Sequence, residues 1–393
     1  GICSSPLASD PGPLFSVSVL PFVDATENGL ARAQLSKLRE VLEHQVRKTG
    51  YFSIARTPEV SAYHLKSLVY SSDPLSIRID VTNSVTGLSV RDLSFRISGS
   101  VQTMDKMLMG FANRMSGYFS GREGILGSQI SVAIKSAWGK KEIARLDYDP
   151  EAIAEPRLLT EDRSLAILPS FNPDGMVAYT SFKSGKALIY LEGQAGPFIS
   201  LSQMNTGIKW SPDGGLCACT TIVDDNAEIS LFDGTTGKYL RTLTKHPGID
   251  TSPDWSSDGE KIIFVSDREG SPQLFVMHKD GSDQKRVSHH GSYNTSPSWH
   301  PYSDHIAYVS RSGNFESMVL GLKSGTAKGL TRGDGDAEDP SWSPDGRRIL
   351  FTRSNGKRKD LFVIRPNGHE LRQINTDDRL YYNPRWQRRG GAR

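Results

Sequence analysis

The chain has 393 residues and a formal net charge of +3, and 37% of its residues are hydrophobic. A charge this close to neutral argues against a surface for nucleic acid or anionic lipid, and we expect neither partner. No apolar run reaches the roughly 18 to 20 residues needed to cross a bilayer, so membrane insertion is not predicted. The content of 37 Gly and 21 Pro is typical of a turn-rich globular protein with more than one domain.

The beginning of the chain matches no regular element. Residues 1–13 contain small residues and proline, without the charged and hydrophobic stretches of an intact signal peptide. We predict a flexible N-terminal segment here, which fits the tail of a removed signal peptide, an expression remnant or a native arm equally well. Cys3 lies in this segment, and its neighbours give no support for lipidation.

Residues 14–121 combine strand and helix patterns. Alternating apolar residues predict a strand that ends at Pro21, and leucines at helical spacing predict a helix that Gly50 ends. A hairpin and a second amphipathic helix follow, and this helix ends at Gly121. No strand is predicted between residues 54 and 75. The order β-α-β-β-α predicts a small α/β domain with both helices on one face of a mixed sheet.

After a glycine-rich junction, residues 128–393 follow a repeated pattern. Aromatic residues recur at intervals of 39 to 45 residues, and several of them begin a Trp-Ser-Pro-Asp-Gly phrase. A repeat of this length corresponds to one four-stranded propeller blade, in which the aromatic residue fills the space between neighbouring blades. We call these aromatic residues the anchors. The anchors are Phe171, Trp210, Trp255, Trp299, Trp342 and Trp386.

The anchors and the strand patterns are offset by one repeat. A set of strands begins at Ile130 without an anchor of its own, and Trp386 is an anchor without a following set. The strand around Trp386 is therefore predicted to be the inner strand of the blade that begins at Ile130. The fold class is a multidomain protein, with the α/β domain followed by an all-β, six-bladed propeller closed by its own termini.

The residues give no pattern for catalysis, a cofactor or a metal. No Gly-x-Ser-x-Gly motif occurs, and His289-His290 has no partner at a metal-ligand spacing. Residues 147–151 begin like a calcium loop but lack its glycine and its final glutamate. Cys217 and Cys219 lie on the same face of one strand and are predicted to be buried. His300 replaces the serine of other repeats, so a role in the turn is predicted.

Polar and aromatic residues precede the anchors. Because they come before the inner strands, we expect them to lie in loops that gather on one rim, around the mouth of the central channel. Clustered His, Tyr and Asn are typical of a protein-binding surface, and plain solvent exposure is the alternative for any one of them. The predicted protein-binding residues are His246, Asp250, Thr251, Tyr293, Asn294, Thr295, Glu338, Asp339, Tyr382 and Asn383.

Three passages resemble the TolB family of the Tol–Pal system. They are the repeat phrase Asp339–Arg353, the junction Phe119–Ile130 and the hairpin turn Asp80–Gly87. The repeat phrase also occurs in the propellers of oligopeptidases, whereas its combination with the N-terminal domain is more specific. The resemblance extends over nearly all of the chain from Val17 onward.

The resemblance implies a non-enzymatic, monomeric adaptor in the periplasm that supports outer-membrane integrity and constriction during cell division. In that family one propeller rim binds the peptidoglycan-associated lipoprotein Pal, and the extreme N-terminal segment contacts TolA. The rim residues would then be Pal contacts, and other outer-membrane proteins are further expected partners. Two alternatives stay open: a propeller enzyme such as a lyase or glycosidase, and a small-ligand or carbohydrate receptor acting at the central channel.

Overall fold

A computed structural model describes residues 15–26, 30–72, 74–100, 103–122, 124–151, 153–311, 313–331, 333 and 335–388. The predicted N-terminal segment of residues 1–13, with Cys3, lies outside the described residues. The chain divides into two compact units between Leu126 and Gly127. No helix in the described part of the chain is long and apolar enough to span a membrane.

The N-terminal unit consists of a mixed sheet and two helices. Its elements are β1 (Phe15–Val19), β2 (Val23–Asp24), α1 (Arg32–Lys48), β3 (Phe52–Ile54), β4 (Tyr63–Ser72), β5 (Leu75–Asn83), β6 (Ser89–Gly99) and α2 (Met104–Ser120). The sheet order is β3-β1-β4-β5-β6, with β2 beside β4. Strand β1 is parallel to both of its neighbours, whereas β4, β5 and β6 form an antiparallel meander. The predicted α/β unit is confirmed.

The predicted order β-α-β-β-α is incomplete, because the region without a predicted strand contains β4. This ten-residue strand is central in the sheet, between β1 and β5. Its inward residues Leu65 and Val69 are fully buried, but its outward face carries Leu68 and Tyr70, which are 37% and 44% exposed. Apolar residues on both faces hide the period of two by which a strand is recognised in a sequence.

Both helices bury one apolar face in the core of this unit. Leu42 of α1 and Leu108 and Phe111 of α2 are fully buried, and they share one hydrophobic cluster with sheet residues such as Ile77. The two helices also contact each other. Helix α2 ends as predicted at Gly121, whose φ of 65° gives the left-handed C-cap that glycine adopts without strain.

The described residues of the second unit form 24 strands. They are β7 (Gln129–Lys135), β8 (Lys141–Asp147), β9 (Arg157–Leu158), β10 (Ala166–Phe171), β11 (Val177–Ser181), β12 (Leu188–Leu191), β13 (Pro197–Ile199), β14 (Asn205–Trp210), β15 (Leu216–Val223), β16 (Asn226–Asp233), β17 (Tyr239–Thr242), β18 (Asp250–Trp255), β19 (Lys261–Ser266), β20 (Gln273–His278), β21 (Lys285–Arg286), β22 (Tyr293–Trp299), β23 (His305–Arg311), β24 (Phe315–Gly321), β25 (Ala327–Gly329), β26 (Asp336–Trp342), β27 (Ile349–Ser354), β28 (Lys359–Ile364), β29 (Arg372–Gln373) and β30 (Tyr381–Trp386).

These strands form six four-stranded antiparallel sheets, which are the blades of a propeller. Blades 1 to 5 are β10–β13, β14–β17, β18–β21, β22–β25 and β26–β29, and blade 6 has the order β30-β7-β8-β9. In blade 6 the last strand of the propeller pairs with the first, with Trp386 opposite Ile130 and Tyr381 opposite Ile134. The predicted closure of the ring by its own termini is confirmed.

The anchors fasten neighbouring blades to one another. Trp255 and Trp342 are almost completely buried, and each ring Nε1 donates to a carbonyl of the preceding blade. The acceptors are Lys209 O at 3.1 Å and Ser298 O at 3.0 Å. These two anchors are therefore both apolar plugs between two sheets and polar ties across them.

The phrase after the anchor closes a tight turn. In blade 5 the Ser343 hydroxyl donates to Asp345 Oδ1 at 2.5 Å, and the amide of Gly346 donates to Ser343 O at 2.9 Å. Gly346 has a φ of 69°, which a residue with a side chain adopts at a cost. His300 takes the serine position in blade 4, where its Nδ1 accepts the Tyr302 amide at 3.0 Å. The predicted turn role of His300 is confirmed.

Candidate protein-binding rim

Each inner strand carries a β-bulge at the same position of the repeat. In β18, for example, the pairing register shifts between Thr251 and Asp254. The first bulge residue has a positive φ in every blade, and in five of the six a proline follows it. Proline suits a bulge because it has no N–H to donate to the ladder. The bulge residues are Leu168, Gly207, Ser252, Ser296, Asp339 and Asn383, with φ between 48° and 68°.

Nine of the ten predicted binding residues lie in the first half of an inner strand rather than in a loop. Asp250 and Thr251 belong to β18, residues 293–295 to β22, residues 338–339 to β26 and residues 382–383 to β30. The prediction that all ten are loop residues is therefore wrong; His246 alone among them lies in a connecting loop. The six inner strands are equivalent elements of the repeat, so their first residues lie at one end of the propeller.

Two of the predicted residues have no exposed surface. Asp250 is 0% exposed and accepts a bond from Arg268 Nη2 at 2.8 Å. Asn294 is also 0% exposed, and its amide donates to Gln273 Oε1 and to His290 O, both at 2.7 Å. These side chains hold the rim backbone in place, and a partner would not reach them in this conformation.

Other predicted residues keep accessible surface on the rim. Tyr293 is 36% exposed, and its ring meets Phe315 edge-on at 5.9 Å between centroids. Thr251 and Thr295 are half-buried at equivalent positions of blades 3 and 4. His246 is half-buried as well, with its amide donating to Glu228 Oε1 at 3.1 Å. The accessible groups are thus an aromatic ring, hydroxyls and an imidazole, which are common in protein interfaces.

Tyr382 lies between two lysines from different blades. The Nζ atom of Lys141 is 3.8 Å from the Tyr382 ring centroid, and that of Lys359 is 4.8 Å away. Lys359 also forms an ion pair with Glu338. Burial, together with the nearby Lys359 charge, lowers the pKa of Lys141. The cluster joins blades 5 and 6 through cation–π and ionic contacts.

Asp339 and Asn383 are joined across neighbouring inner strands. Asn383 Nδ2 donates to Asp339 Oδ2 at 2.8 Å, and the Ser296 hydroxyl donates to Asp339 Oδ1 at 3.2 Å. Asn383 Oδ1 accepts the Leu168 amide at 3.4 Å. The structure therefore brings together two of the predicted residues, Asp339 and Asn383, in a polar chain from blade 4 to blade 1.

The sequence analysis did not select Lys141 and Lys359 as rim residues. Neither lies close to an anchor in sequence, because both begin strands further out in their blades. The offset of the repeats is the signal that bears on Lys141, because it assigns β8 and the strand of Tyr382 to the same blade.

The described residues contain no group of three or more His, Cys, Asp or Glu side chains that could hold a metal ion. Cys217 and Cys219 are both free thiols with 0% exposure, as predicted. Burial raises the pKa of the Cys219 thiol well above its usual value, so this thiol stays protonated at neutral pH.

Comparison with known proteins identifies the family. Residues 118–389 match the family described as the TolB beta propeller domain. The chain belongs to the TolB family. It is 31% identical to the Tol-Pal system protein TolB of Bordetella pertussis over 295 residues, which are 74% of this chain and 66% of that relative. It is 33% identical to the protein of the same name in Bordetella parapertussis over the same share of each chain. The match thus spans slightly less than two thirds of these relatives.

Solved structures share the fold of this TolB-family chain. TolB from Acinetobacter baumannii has a TM-score of 0.75 at 22% identity, and the match covers 96% of this chain and 97% of that one. A putative TolB from Agrobacterium tumefaciens has a TM-score of 0.51 at 19% identity, over 67% of this chain and 99% of that one. At these identities the likeness establishes the architecture alone, an N-terminal α/β region with a six-bladed propeller.

Proposed function

We propose that this chain is a non-enzymatic periplasmic adaptor that binds the peptidoglycan-associated lipoprotein Pal through the rim at the start of the inner strands. The observation that supports this most is the construction of the rim. Accessible groups such as Tyr293 and Thr295 are supported by buried, hydrogen-bonded side chains such as Asn294 and Asp250. A preorganised surface of this kind binds a partner without the entropic cost of ordering loops.

Membership of the TolB family supports the choice of partner, since the relatives are named as proteins of the Tol-Pal system. The same membership favours the periplasm and a role in outer-membrane integrity and constriction during division. The proposed contacts are the accessible rim residues His246, Thr251, Tyr293, Thr295, Glu338, Asp339, Tyr382 and Asn383. Asp250 and Asn294 have the different role of positioning them.

The rim is tested by calorimetric titration of the folded protein with the soluble domain of Pal from the same organism. Tyr293→Ala is expected to weaken binding at least about tenfold, because exposed tyrosines are frequent hot spots of interfaces. Tyr302→Ala is the matched control. Tyr302 is 45% exposed but follows the anchor Trp299, at the other end of the inner strand. No binding by the unmodified protein at high micromolar concentration would overturn the proposal, and equal losses in both variants would reject the choice of rim.

A second contact, with TolA, is proposed for the N-terminal segment, which lies outside the described residues. A variant lacking residues 1–13 should lose binding to the periplasmic part of TolA and keep its affinity for Pal. Retained TolA binding by this variant would reject the assignment, and the unchanged Pal affinity shows that the propeller is still folded.

A further inference from the structure

A cavity of about 620 Å³ lies in blade 6, and none of the predicted rim residues lines it. Its walls come from the turn between β7 and β8, from β9 and the segments on either side of it, and from the segment before β30. The volume is within the range of pockets that hold small ligands, about 300 to 1,000 Å³. We call it the blade-6 cavity.

Two large apolar side chains of the blade-6 cavity are exposed. Trp138, in the turn between β7 and β8, is 67% exposed, and Leu158 of β9 is 46% exposed. The Arg163 guanidinium lies over the Trp138 ring, with 4.5 Å between Cζ and the ring centroid, and this contact orients the ring. Trp138 is the one tryptophan of the chain that is not an anchor. The propeller repeat does not explain this exposed apolar surface, whereas a ligand with an apolar body would cover it.

The carboxylate of Glu142 forms a polar part of the cavity wall, and this residue is 4% exposed. The Thr160 hydroxyl donates to Glu142 Oε2 at 2.5 Å and accepts the Ile143 amide at 2.9 Å. The same contact recurs in blade 2, where the Thr244 hydroxyl donates to Glu228 Oε2 at 2.6 Å. This repeated contact explains why a polar residue occupies the position, and it uses one of the two carboxylate oxygens.

The equivalent carboxylates of two other blades have a further side-chain donor. Glu228 Oε1 accepts from Asn226 Nδ2 at 3.1 Å. In blade 5, Asp360 Oδ2 accepts from Arg358 Nε at 3.0 Å. Both donors lie two residues before the carboxylate. Lys140 has this position in blade 6, but its side chain is exposed and forms no ion pair with the blade-6 carboxylate in the described part of the chain.

The charges around Glu142 favour a cation at this place. Its second donor is the backbone of Arg163, and no cationic side chain among the described residues pairs with it. Burial raises the pKa of Glu142, and the charges of Asp162 and Glu161 raise it as well. A cation that reached the carboxylate would offset both effects and favour its ionised form.

The other cations of the cavity wall are directed away from this carboxylate. Arg379 forms ion pairs with Glu155 and Asp377. Lys135 follows the residue that pairs with Glu142 across β7 and β8, so its side chain leaves the opposite face of the sheet. The cavity therefore contains a buried carboxylate that the side chains of its own wall do not neutralise.

We propose that the blade-6 cavity binds an alkylammonium group, with its nitrogen at Glu142 and its carbon chain against Trp138 and Leu158. The nitrogen donates a charge-assisted hydrogen bond to the carboxylate, and the chain covers exposed apolar surface. A metal ion would need several carboxylate or imidazole ligands, and the described residues form no such group. The ammonium comes either from a small free amine or from a lysine side chain of a polypeptide. The proposal does not depend on the binding of Pal or TolA.

The test uses the full chain, with the indole nitrogens of tryptophan isotope-labelled for NMR. The Trp138 signal is assigned by its loss in Trp138→Phe. The other tryptophans are anchors whose Nε1 atoms all donate hydrogen bonds within the propeller, so a shift of the Trp138 signal alone reports on the cavity. One arm titrates n-butylamine and the other the tripeptide Gly-Lys-Gly with both ends capped. The uncharged control is n-butanol.

Glu142→Gln should weaken the binding of n-butylamine about tenfold or more, because it removes the charge and keeps an acceptor for the Thr160 hydroxyl. Glu228→Gln is the matched control. Glu228 is also 4% exposed and accepts a threonine hydroxyl, but it does not line the cavity. Leu158→Ala is the second variant if Glu142→Gln does not fold, and it should weaken the same probe about threefold or more through lost apolar contact.

Saturable shifts of the Trp138 signal by n-butylamine that Glu142→Gln weakens and Glu228→Gln does not would support the site. Tighter binding of the tripeptide would then identify a lysine side chain as the source of the ammonium, and tighter binding of n-butylamine a free amine. The proposal is overturned if neither cation shifts the signal, if n-butanol binds as tightly as n-butylamine, or if the two glutamate substitutions have equal effects.

Discussion

The buried amide of Asn294 and the accessible ring of Tyr293 are adjacent in sequence, but the structure assigns them opposite roles. Asn294→Ala should lower the stability of the propeller and leave the affinity of the folded protein for Pal within about twofold. Tyr293→Ala should weaken binding and change stability by about 1 kcal/mol or less, the value of one aromatic contact. The pair therefore separates support of the rim from contact with a partner.

The expected loss for Asn294→Ala follows from its hydrogen bonds. Its amide donates two bonds of 2.7 Å, each worth about 0.5 to 1.5 kcal/mol net, and an acceptor left unpaired in the interior adds about 1 to 3 kcal/mol. Gln273 Oε1 keeps the Ser288 hydroxyl as a donor at 2.7 Å, which limits the cost. Asn294 Oδ1 is buried without a partner among the described residues, so its removal offsets part of the loss. The sum is a destabilisation of about 2 kcal/mol.

Urea denaturation of the two variants measures this loss, and an unchanged slope with denaturant would show that the same surface is exposed on unfolding. Calorimetric titration with Pal is then done on each variant under conditions where it is folded. An Asn294→Ala variant that is as stable as the parent but binds Pal at least tenfold more weakly would refute the reasoning, because Asn294 would then be a contact.

Three further predictions concern the propeller itself. Trp342→Ala should destabilise the propeller by about 3 to 5 kcal/mol, because it leaves a cavity at a fully buried position. Trp342→Phe should cost less, although it also loses the hydrogen bond to Ser298 O, and thermal unfolding of both variants measures the difference. Arg268→Met leaves the Asp250 carboxylate buried without its cation, at a cost of about 3 to 5 kcal/mol near pH 7. Burial raises the pKa of the Asp250 carboxyl in the folded protein above its value in the unfolded chain. The contribution of this group to folding stability is therefore fully present below the unfolded pKa, and it is lost as the pH rises through the folded pKa. The deficit of Arg268→Met should therefore shrink on acidification in urea melts, and a constant deficit would contradict the pairing. Trp386→Ala should weaken the pairing of β30 with β7 that closes the ring. Amide hydrogen exchange should then become faster in β7 and β30 than in blade 3, and an equal rate in all blades would contradict this prediction.

The candidate site shows where local patterns stop being informative. The sequence places polar residues before each anchor, and the structure puts them at the start of the inner strands. The sequence does not show that Asp250 and Asn294 are buried while Tyr293 is accessible, because their burial depends on Arg268, in the turn between β19 and β20, and on Gln273 in β20. The Tyr382 cluster is equally hidden, since Lys141 is more than 200 residues away in the chain and reaches Tyr382 only through the closed blade.

The sequence by itself determined the repeat, the number of blades, the closure through Trp386 and the two helices, because each follows from a period or a signal within a short segment. Only the tertiary structure decided the place of β4, which has apolar residues on both faces, and the meeting of Lys141 and Lys359 at the Tyr382 ring. These two lysines come from blades 6 and 5, and no local pattern relates them. Closing a ring brings equivalent positions of distant repeats together, and their combined charge and burial exist only there.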